Sequence, residues 1–221
     1  MKKKVGVLLS GCGVFDGSEI HESVLTLLYL DRAGVETICM APDMEQMHVV
    51  NHLTQEETGE RRNVLVESAR IARGNIVDVG DVKAETLDAL IIPGGFGAAK
   101  NLSDFAVKGA QAAVVPEVAE IISAVVTAGK PVGAMCIAPA TLTKALASHH
   151  PSVTIGNDPD TALAIEEMGG EHRACTVEMI HRDQNNRLVT TPAYMLGPGI
   201  KDIAVGIEKL VNEVVGMIGE K

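Results

Sequence analysis

Hydrophobic residues along the chain form short runs, and these runs alternate with longer stretches of helical periodicity. The run "KKVGVLLSG" (3–11) predicts a buried β-strand. In "SEIHESVLTLLYLDRAG" (18–34) apolar residues recur at helical spacing, with Ser18 as the expected N-cap and Gly34 as the end. The run "VETICMAPD" (35–43) predicts the next strand. A strand, a helix and a strand in this order predict parallel pairing through a right-handed crossover.

The same alternation continues over most of the remaining chain. Further strands are predicted at "LDALIIPGG" (87–95), "KPVGAMC" (130–136) and "SVTIGND" (152–158), a hairpin turning at "DQNN" within 175–193, and helices at 115–129, 138–148, 158–170 and 200–219. Residues 43–75 are more polar and less periodic, and we interpret them as an insertion with a loop or hairpin and one short helix. The pattern predicts one α/β domain over residues 1–221, with a mostly parallel sheet.

Composition supports a parallel sheet that helices cover on both faces. Hydrophobic residues make up 46% of the 221 residues while aromatic residues make up only 2%, so the core has to be built from aliphatic side chains. Such a core is typical of strands that are buried on both faces.

Charge and hydropathy exclude several classes of partner. The net charge of −10 would repel a phosphate backbone, so we expect no nucleic acid partner. No stretch approaches the roughly 20 apolar residues that cross a bilayer, and the apolar run near the N-terminus is too short for a signal peptide. We therefore expect a cytoplasmic protein without a membrane partner.

The four cysteines are expected to be free thiols. Cys12, Cys39, Cys136 and Cys175 form no CxxC pair and no zinc-like spacing, so we expect no metal site and no disulfide framework. Cys39 lies inside a strand and is interpreted as a buried small side chain. Cys175 has no informative context.

The turn "SGCGVFDG" after the first strand resembles the glycine-rich turn of a dinucleotide site. Gly17 is displaced by one residue from the G-x-G-x-x-G spacing, and the acidic side chains that follow would oppose a pyrophosphate. We therefore expect no nucleotide cofactor. Cys12 lies in this turn, and both a place in the functional pocket and a packing role remain open for it.

Cys136 stands at the joint between a predicted strand and a predicted helix. This is the context of a nucleophile elbow, where small neighbours permit a tight turn and the helix amides lower the pKa of the thiol. Gly94 and Gly95 end the preceding predicted strand. The amides of Gly95 and Ile137 are candidate oxyanion donors, and Gly94 is a further candidate for this substrate-binding set. The competing interpretation is a buried, inert cysteine.

Glu22 is the candidate carboxyl partner of Cys136. Helix-dipole stabilisation accounts for acidic residues in the first turn of a helix. It accounts less well for Glu22, which lies near the apolar side defined by Ile20, Val24, Leu25 and Leu28. A carboxyl group on that side is expected to face the protein.

The segments "EIHESVLTLLYLDRAG", "IIPGGFG" and "GAMCIAPA" together resemble the class I glutamine amidotransferase-like superfamily, in the branch that contains the parkinsonism-linked deglycase and the intracellular cysteine proteases. The segments "SGCGVFDGSEIHE", "NHLTQEE", "RNVLVESARIARG", "IPGGFGAAKNLS" and "TTPAYML" resemble the ElbB family, described as enhancing lycopene biosynthesis proteins and glyoxalases. The resemblance covers essentially the whole chain. It implies a link to isoprenoid biosynthesis.

The resemblance also implies a flavodoxin-like three-layer sandwich, a homodimer, and a protonated Glu22 that hydrogen-bonds the Cys136 thiolate. The protease branch has a histidine directly after the nucleophile, where this chain has Ile137. Gly156 replaces the histidine of the deglycase branch. His172 or His181 would have to complete a triad from the later hairpin.

Three functions compete at this stage. The first is a glyoxalase that needs no cofactor, in which Cys136 adds to a small dicarbonyl aldehyde and Glu22 relays a proton. The second is a regulatory or binding protein that senses oxidants or carbonyl compounds through Cys136. The third is an amidotransferase subunit, which the missing histidines weaken because it must protonate an amine leaving group.

Overall fold

The computed structural model describes residues 2–220. The strands are β1 (Lys4–Leu8), β2 (Glu36–Ala41), β3 (Val50–Asn51), β4 (Glu56–Glu57), β5 (Ile76–Asp78), β6 (Ala89–Ile92), β7 (Val132–Met135), β8 (Ser152–Val153), β9 (Glu171–His172), β10 (His181–Asp183) and β11 (Leu188–Thr191). The helices are α1 (Ile20–Arg32), α2 (Val64–Ile71), α3 (Phe96–Lys100), α4 (Phe105–Lys108), α5 (Pro116–Thr127), α6 (Ala138–Ala145), α7 (Pro159–Glu167) and α8 (Ile200–Met217).

Seven strands form the central sheet in the order β10-β11-β7-β6-β1-β2-β5. Every neighbouring pair is parallel except β10 and β11, which form the predicted hairpin. Alternate side chains of β1 point to opposite faces: Val5 and Val7 pack with α1, α2 and α8, whereas Leu8 packs with α3, α5, α6 and α7. The predicted three-layer flavodoxin-like fold is therefore confirmed.

The segment "SVTIGND" differs from the prediction. Only Ser152–Val153 is a strand, and it pairs with β9 in a separate two-stranded sheet. The hairpin strand β10 already occupies the free edge of β11, so residues 152–158 have no place in the central sheet. The prediction that they form one more strand of the main pattern is wrong.

Residues 43–75 contain the short hairpin of β3 and β4 and the helix α2. Asn101 ties this region to the first glycine turn: its Nδ2 donates to the carbonyl oxygens of Ser10 and Asp16, each at 2.8 Å, and its Oδ1 accepts from Met47 N at 3.0 Å. The interpretation of 43–75 as an insertion stays a prediction.

Within the described part of the chain, residues 2–220, no helix has both the length and the apolar character that crossing a membrane requires.

Candidate active site

Three turns meet at one edge of the central sheet. They follow β1, β6 and β7, which are neighbours in the sheet and run parallel, so their carboxyl ends lie together. This is the edge at which open parallel sheets bind ligands. The turn after β6 contributes Gly94 and Gly95, and the turn after β7 contributes Cys136.

Cys136 has the backbone conformation of a nucleophile elbow. Its φ is +58°, in the left-handed region that non-glycine residues rarely adopt, which costs about 1–3 kcal/mol. Its N–H donates to the carbonyl oxygen of Thr191 at 3.0 Å, so the end of β11 holds the turn in place. The residue is 8% exposed. The thiol thus lies at a fixed, strained position with limited access from solvent.

Glu22 lies in the first turn of α1 and is completely buried. Its Oε2 accepts from Gly94 N at 2.9 Å and its Oε1 accepts from Tyr194 N at 3.2 Å. Its carboxyl group also hydrogen-bonds the Cys136 side chain. The helix N-cap is Glu19 and not Ser18, because Glu19 Oε2 accepts from Glu22 N at 2.7 Å, whereas Ser18 Oγ accepts from Ser10 N.

The apolar side of α1 that the sequence indicated is not its buried side. Ile20, Val24 and Leu28 are 43%, 50% and 40% exposed, while Glu22 and Thr26 are fully buried. The reason given for placing Glu22 inside was therefore wrong, although Glu22 is buried.

Gly94 and Gly95 allow the backbone to lie directly against the pair of Cys136 and Glu22. A Cβ on Gly94 would lie 2.4 Å from Cys136 Cβ and 2.6 Å from Glu22 Oε2. Gly95 has a φ of +93°, and a Cβ there would lie 2.4 Å from both Glu19 N and Gly17 O. No side chain fits at either position.

The Glu22 carboxyl group is neutral over most of the physiological pH range. Burial, and then the charge of Glu19, raise its pKa to about 8, while the hydrogen bonds from Tyr194, Cys136 and Gly94 act in the opposite direction. Burial penalises the ionised form because it removes water from the charge. Below pH 8 the group therefore carries a proton that it can donate.

The pKa of the Cys136 thiol is raised well above its ordinary value, so the expectation of a lowered pKa is wrong. Burial is the larger cause and an ionised Glu22 is the second. Hydrogen bonds from the amides of Gly95 and Ile137 oppose both. The structure thus places both predicted oxyanion donors at the sulfur atom, where they favour the thiolate but do not outweigh its desolvation.

Comparison with known proteins assigns this chain to a family. The sequence profile of the DJ-1/PfpI family matches residues 12–191. The chain belongs to the DJ-1/PfpI family. This agrees with the expected class I glutamine amidotransferase-like superfamily, of which the family is a part.

Two curated relatives and one solved structure are similar to this DJ-1/PfpI protein over nearly its whole length. The human "Glutamine amidotransferase-like class 1 domain-containing protein 3, mitochondrial" is 45% identical, over 98% of this chain and 84% of the relative. The rat "ES1 protein homolog, mitochondrial" is 42% identical, over 99% and 85%. A crystal structure of an "isoprenoid biosynthesis protein with amidotransferase-like domain" from Ehrlichia chaffeensis superposes with a TM-score of 0.90 at 39% identity, covering 96% of this chain and 99% of that one.

The expected cytoplasmic location is contradicted by these relatives. The names of both curated proteins state a mitochondrial location. Composition and hydropathy could not have revealed this, because they exclude a membrane span without identifying a compartment.

Cys12 does not share the surroundings of Cys136 in this DJ-1/PfpI protein. Burial raises the pKa of Cys12, and the charged groups that act on it are Glu67, Arg70 and Asp16. Two of these, Glu67 and Arg70, belong to α2. The role of Cys12 in the functional pocket stays a prediction.

The two candidate histidines are hydrogen-bonded elsewhere. His181 Nε2 lies 2.9 Å from Ser152 Oγ, and His172 Nε2 accepts from Ile155 N at 3.5 Å. Neither is among the groups that shift the pKa of Cys136. Within residues 2–220, the structure therefore brings neither histidine to the thiol.

Sequence reasoning missed Tyr194 and His21. Tyr194 holds Glu22 through its backbone amide, and its hydroxyl lies 2.7 Å from His21 Nδ1. A contact made by a backbone amide leaves no residue-type signature. The one signal in the sequence is the position of His21 beside Glu22.

Proposed function

We propose that this protein is a glyoxalase that needs no cofactor and converts small dicarbonyl aldehydes, such as glyoxal and methylglyoxal, to hydroxy acids. The observation that carries the proposal is the pairing of the strained Cys136 thiol with a buried carboxyl group whose pKa is about 8. The resemblance of "SGCGVFDGSEIHE" and "TTPAYML" to the ElbB glyoxalases supports it.

The first step is addition of the Cys136 sulfur to the aldehyde carbon. The carbon–sulfur bond forms as the carbonyl π electrons move to oxygen. The ionised form of Glu22 accepts the thiol proton and passes it to that oxygen, which gives a neutral hemithioacetal and restores the carboxylate. The amides of Gly95 and Ile137 lie beside the sulfur and stabilise negative charge as it develops there.

The second step moves a proton between adjacent carbons. Glu22 removes the proton of the hemithioacetal carbon and returns it to the neighbouring carbon, while the hydroxyl proton of the hemithioacetal moves to the neighbouring carbonyl oxygen. The first carbon is thereby oxidised to a thioester and the neighbouring carbonyl is reduced to an alcohol. No external oxidant is needed, since the electrons stay within the substrate. Water then cleaves the thioester, which releases the hydroxy acid and the thiol. A carboxylate with a pKa of about 8 suits this step because it is a stronger base than an ordinary carboxylate.

The direct test is conversion of glyoxal to glycolate by the purified protein after chelation and removal of glutathione. We expect Cys136→Ala to lose activity by at least about 100-fold because the covalent intermediate cannot form. Cys175→Ala, which removes a partly exposed thiol elsewhere, serves as the matched control and should retain activity. Equal activity in Cys136→Ala and wild type would refute the proposal.

The pH dependence tests the role of Glu22. As a general base, Glu22 must be ionised, so kcat/KM should rise with pH and level off near its pKa of about 8. A rate that falls as the pH increases through this region would show that the protonated carboxyl group is the active form.

The competing functions receive less support from the same geometry. Amidotransferase chemistry needs a base that can protonate an amine, and His172 and His181 are bonded to other groups. A peroxide sensor depends on a thiolate at neutral pH, whereas the pKa of Cys136 is raised. Aldehyde addition needs only that the proton leave the sulfur during the step.

A further inference from the structure

We propose that Tyr194 and His21 are positioning residues: the hydrogen bond between the Tyr194 hydroxyl and the His21 imidazole fixes the backbone amide that holds Glu22. The importance of this positioning for turnover rests on the proposed function of Glu22 as a base. The effect on the Glu22 carboxyl group itself does not, and it can be measured without substrate.

The segment from Thr191 to Tyr194 contacts both members of the Cys136–Glu22 pair. The carbonyl oxygen of Thr191 accepts from Cys136 N at 3.0 Å, and Tyr194 N donates to Glu22 Oε1 at 3.2 Å. Only two residues separate these contacts. The place of one short turn therefore decides how the carboxyl group is oriented toward the thiol.

This turn is strained, so it needs support on its far side. Ala193 has a φ of +44°, which a non-glycine residue adopts only when its surroundings impose it. On the near side the end of β11 holds the turn within the sheet. On the far side the chain continues into a 3-10 turn, and there the hydroxyl of Tyr194 adds a second contact with α1 beside that of its amide.

His21 provides that anchor because it is next to Glu22 on the helix. Consecutive helical residues point about 100° apart, so Glu22 can be buried while His21 lies at the surface. His21 Nδ1 lies 2.7 Å from the Tyr194 hydroxyl, and the two rings are 5.8 Å apart. Tyr194 thus contacts two consecutive residues of α1: its amide bonds Glu22 and its hydroxyl bonds His21.

The groups around Glu22 determine in which direction its pKa changes when the hydrogen bond between Tyr194 and His21 is lost. Glu19 faces it from the same helix, Cys136 faces it from the elbow, and the Tyr194 hydroxyl and His21 lie at the turn. The amide of Tyr194 donates to the ionised carboxylate and so lowers the pKa of Glu22. Releasing the turn weakens this bond and should raise that pKa further.

The test is infrared difference spectroscopy of the folded protein from pH 5 to 10. The carboxylic acid C=O band that Glu22→Gln removes reports the titration of Glu22. We expect Tyr194→Phe and His21→Ala each to move its midpoint upward by about half a pH unit or more. The double variant should show no further shift, because both single changes break the same bond. His21→Asn, which keeps a hydrogen-bonding side chain, should return the midpoint toward that of wild type.

The chain supplies matched controls. Tyr29→Phe removes the hydroxyl of the other tyrosine, and His149→Ala removes an exposed histidine far along the chain; neither should move the midpoint. Unshifted midpoints in both Tyr194→Phe and His21→Ala would overturn the proposal. A shift without any conversion of glyoxal by wild type would uphold the positioning role and refute only the proposed function.

Discussion

Two turns at the same edge of the sheet each bring a cysteine close to a glutamate. The two glutamates differ in whether positively charged side chains pair with them. After β1, Cys12 is near Glu67, whose carboxylate pairs with Arg70 at 2.9 Å and with Arg62 at 3.5 Å. After β7, Cys136 hydrogen-bonds Glu22, which has no ion-pair partner within residues 2–220 and also accepts hydrogen bonds from the backbone amides of Gly94 and Tyr194. A cysteine and a glutamate at a sheet edge are therefore not sufficient to define the site.

Both glutamates are buried, and the difference shows how ion-pair partners change the state of a buried carboxyl group. The guanidinium groups of Arg62 and Arg70 form ion pairs with Glu67. Glu22 has hydrogen bonds from two backbone amides and from Cys136, which do not offset the loss of water and the charge of Glu19, so its pKa rises to about 8. The backbone differs as well, since Cys136 has a positive φ and Cys12 does not.

The largest expected effect is on stability as a function of pH. Between the ordinary glutamate pKa of 4.5 and about 8, folded protein keeps a proton on Glu22 that the unfolded chain releases. The free energy of unfolding therefore falls as the pH rises, by about 1.4 kcal/mol per unit at most, and this loss ends near pH 8. Glu22→Gln removes the effect, so its stability relative to wild type should increase steadily over this range.

Urea unfolding of wild type and Glu22→Gln at pH 5, 6, 7 and 8 measures this difference. Curves of stability against pH that run parallel for the two proteins would show that folding leaves the pKa of Glu22 unchanged. The contrast with Glu67 would then have no energetic basis.

A smaller effect is expected on the reactivity of the two thiols. Glu22→Gln should lower the pKa of Cys136, because an ionised Glu22 raises it, and Glu67→Gln should lower the pKa of Cys12 for the same reason. Neither variant should change the other thiol. Rates of alkylation at each cysteine, followed by mass spectrometry from pH 7 to 11, provide the measurement.

Cys39 is an internal reference for that experiment, since burial alone raises its pKa to about 11. A rise in the pKa of Cys136 in Glu22→Gln would contradict this prediction. It would show that Glu22 acts on Cys136 mainly as a protonated hydrogen-bond donor to the thiolate, and not by charge repulsion.

The smallest expected effect is on stability, and it distinguishes the backbone conformations of Cys136 and Cys12. At Cys136 the left-handed conformation suits glycine, so Cys136→Gly should be more stable than Cys136→Ala by about 1 kcal/mol. At Cys12 the order should reverse, because glycine there only adds freedom to the unfolded chain, by about 0.5–1 kcal/mol. Thermal or chemical unfolding of the four variants gives both signs, and equal signs would contradict the assignment of strain to Cys136.

Local patterns made the fold predictable from the sequence. The run "KPVGAMC" is apolar and short, and the small residues after it permit a tight turn, so a strand, an elbow and a helix followed directly. The strand Ile76–Asp78 was not predicted because its three residues lie at the edge of a polar region, too short for any periodicity. Pairing with β2 decides its structure.

The site was less predictable because the burial and pKa values of its side chains depend on many residues that are distant in the sequence. The elbow context favoured amides near Cys136, and those of Gly95 and Ile137 hydrogen-bond its sulfur, while their oxyanion role stays a prediction. The sign of the Cys136 pKa shift depends on burial, which the sequence does not state. Glu22 was placed inside for a wrong reason, since tertiary contacts with other helices outweigh the apolar side of α1. The catalytic roles of both residues stay predictions.

The absence of a side chain at Gly94 has a stereochemical consequence for the proposed reaction. With no side chain at this position, the backbone lies against the thiol and the carboxyl group from one side. In the proposed reaction a substrate carbon bound to sulfur would therefore meet Glu22 from a single direction, and a proton delivered by Glu22 would reach only one face of a planar, prochiral carbon. Methylglyoxal would accordingly yield one enantiomer of lactate. Which enantiomer forms would depend on the side of the bound carbon on which Glu22 lies.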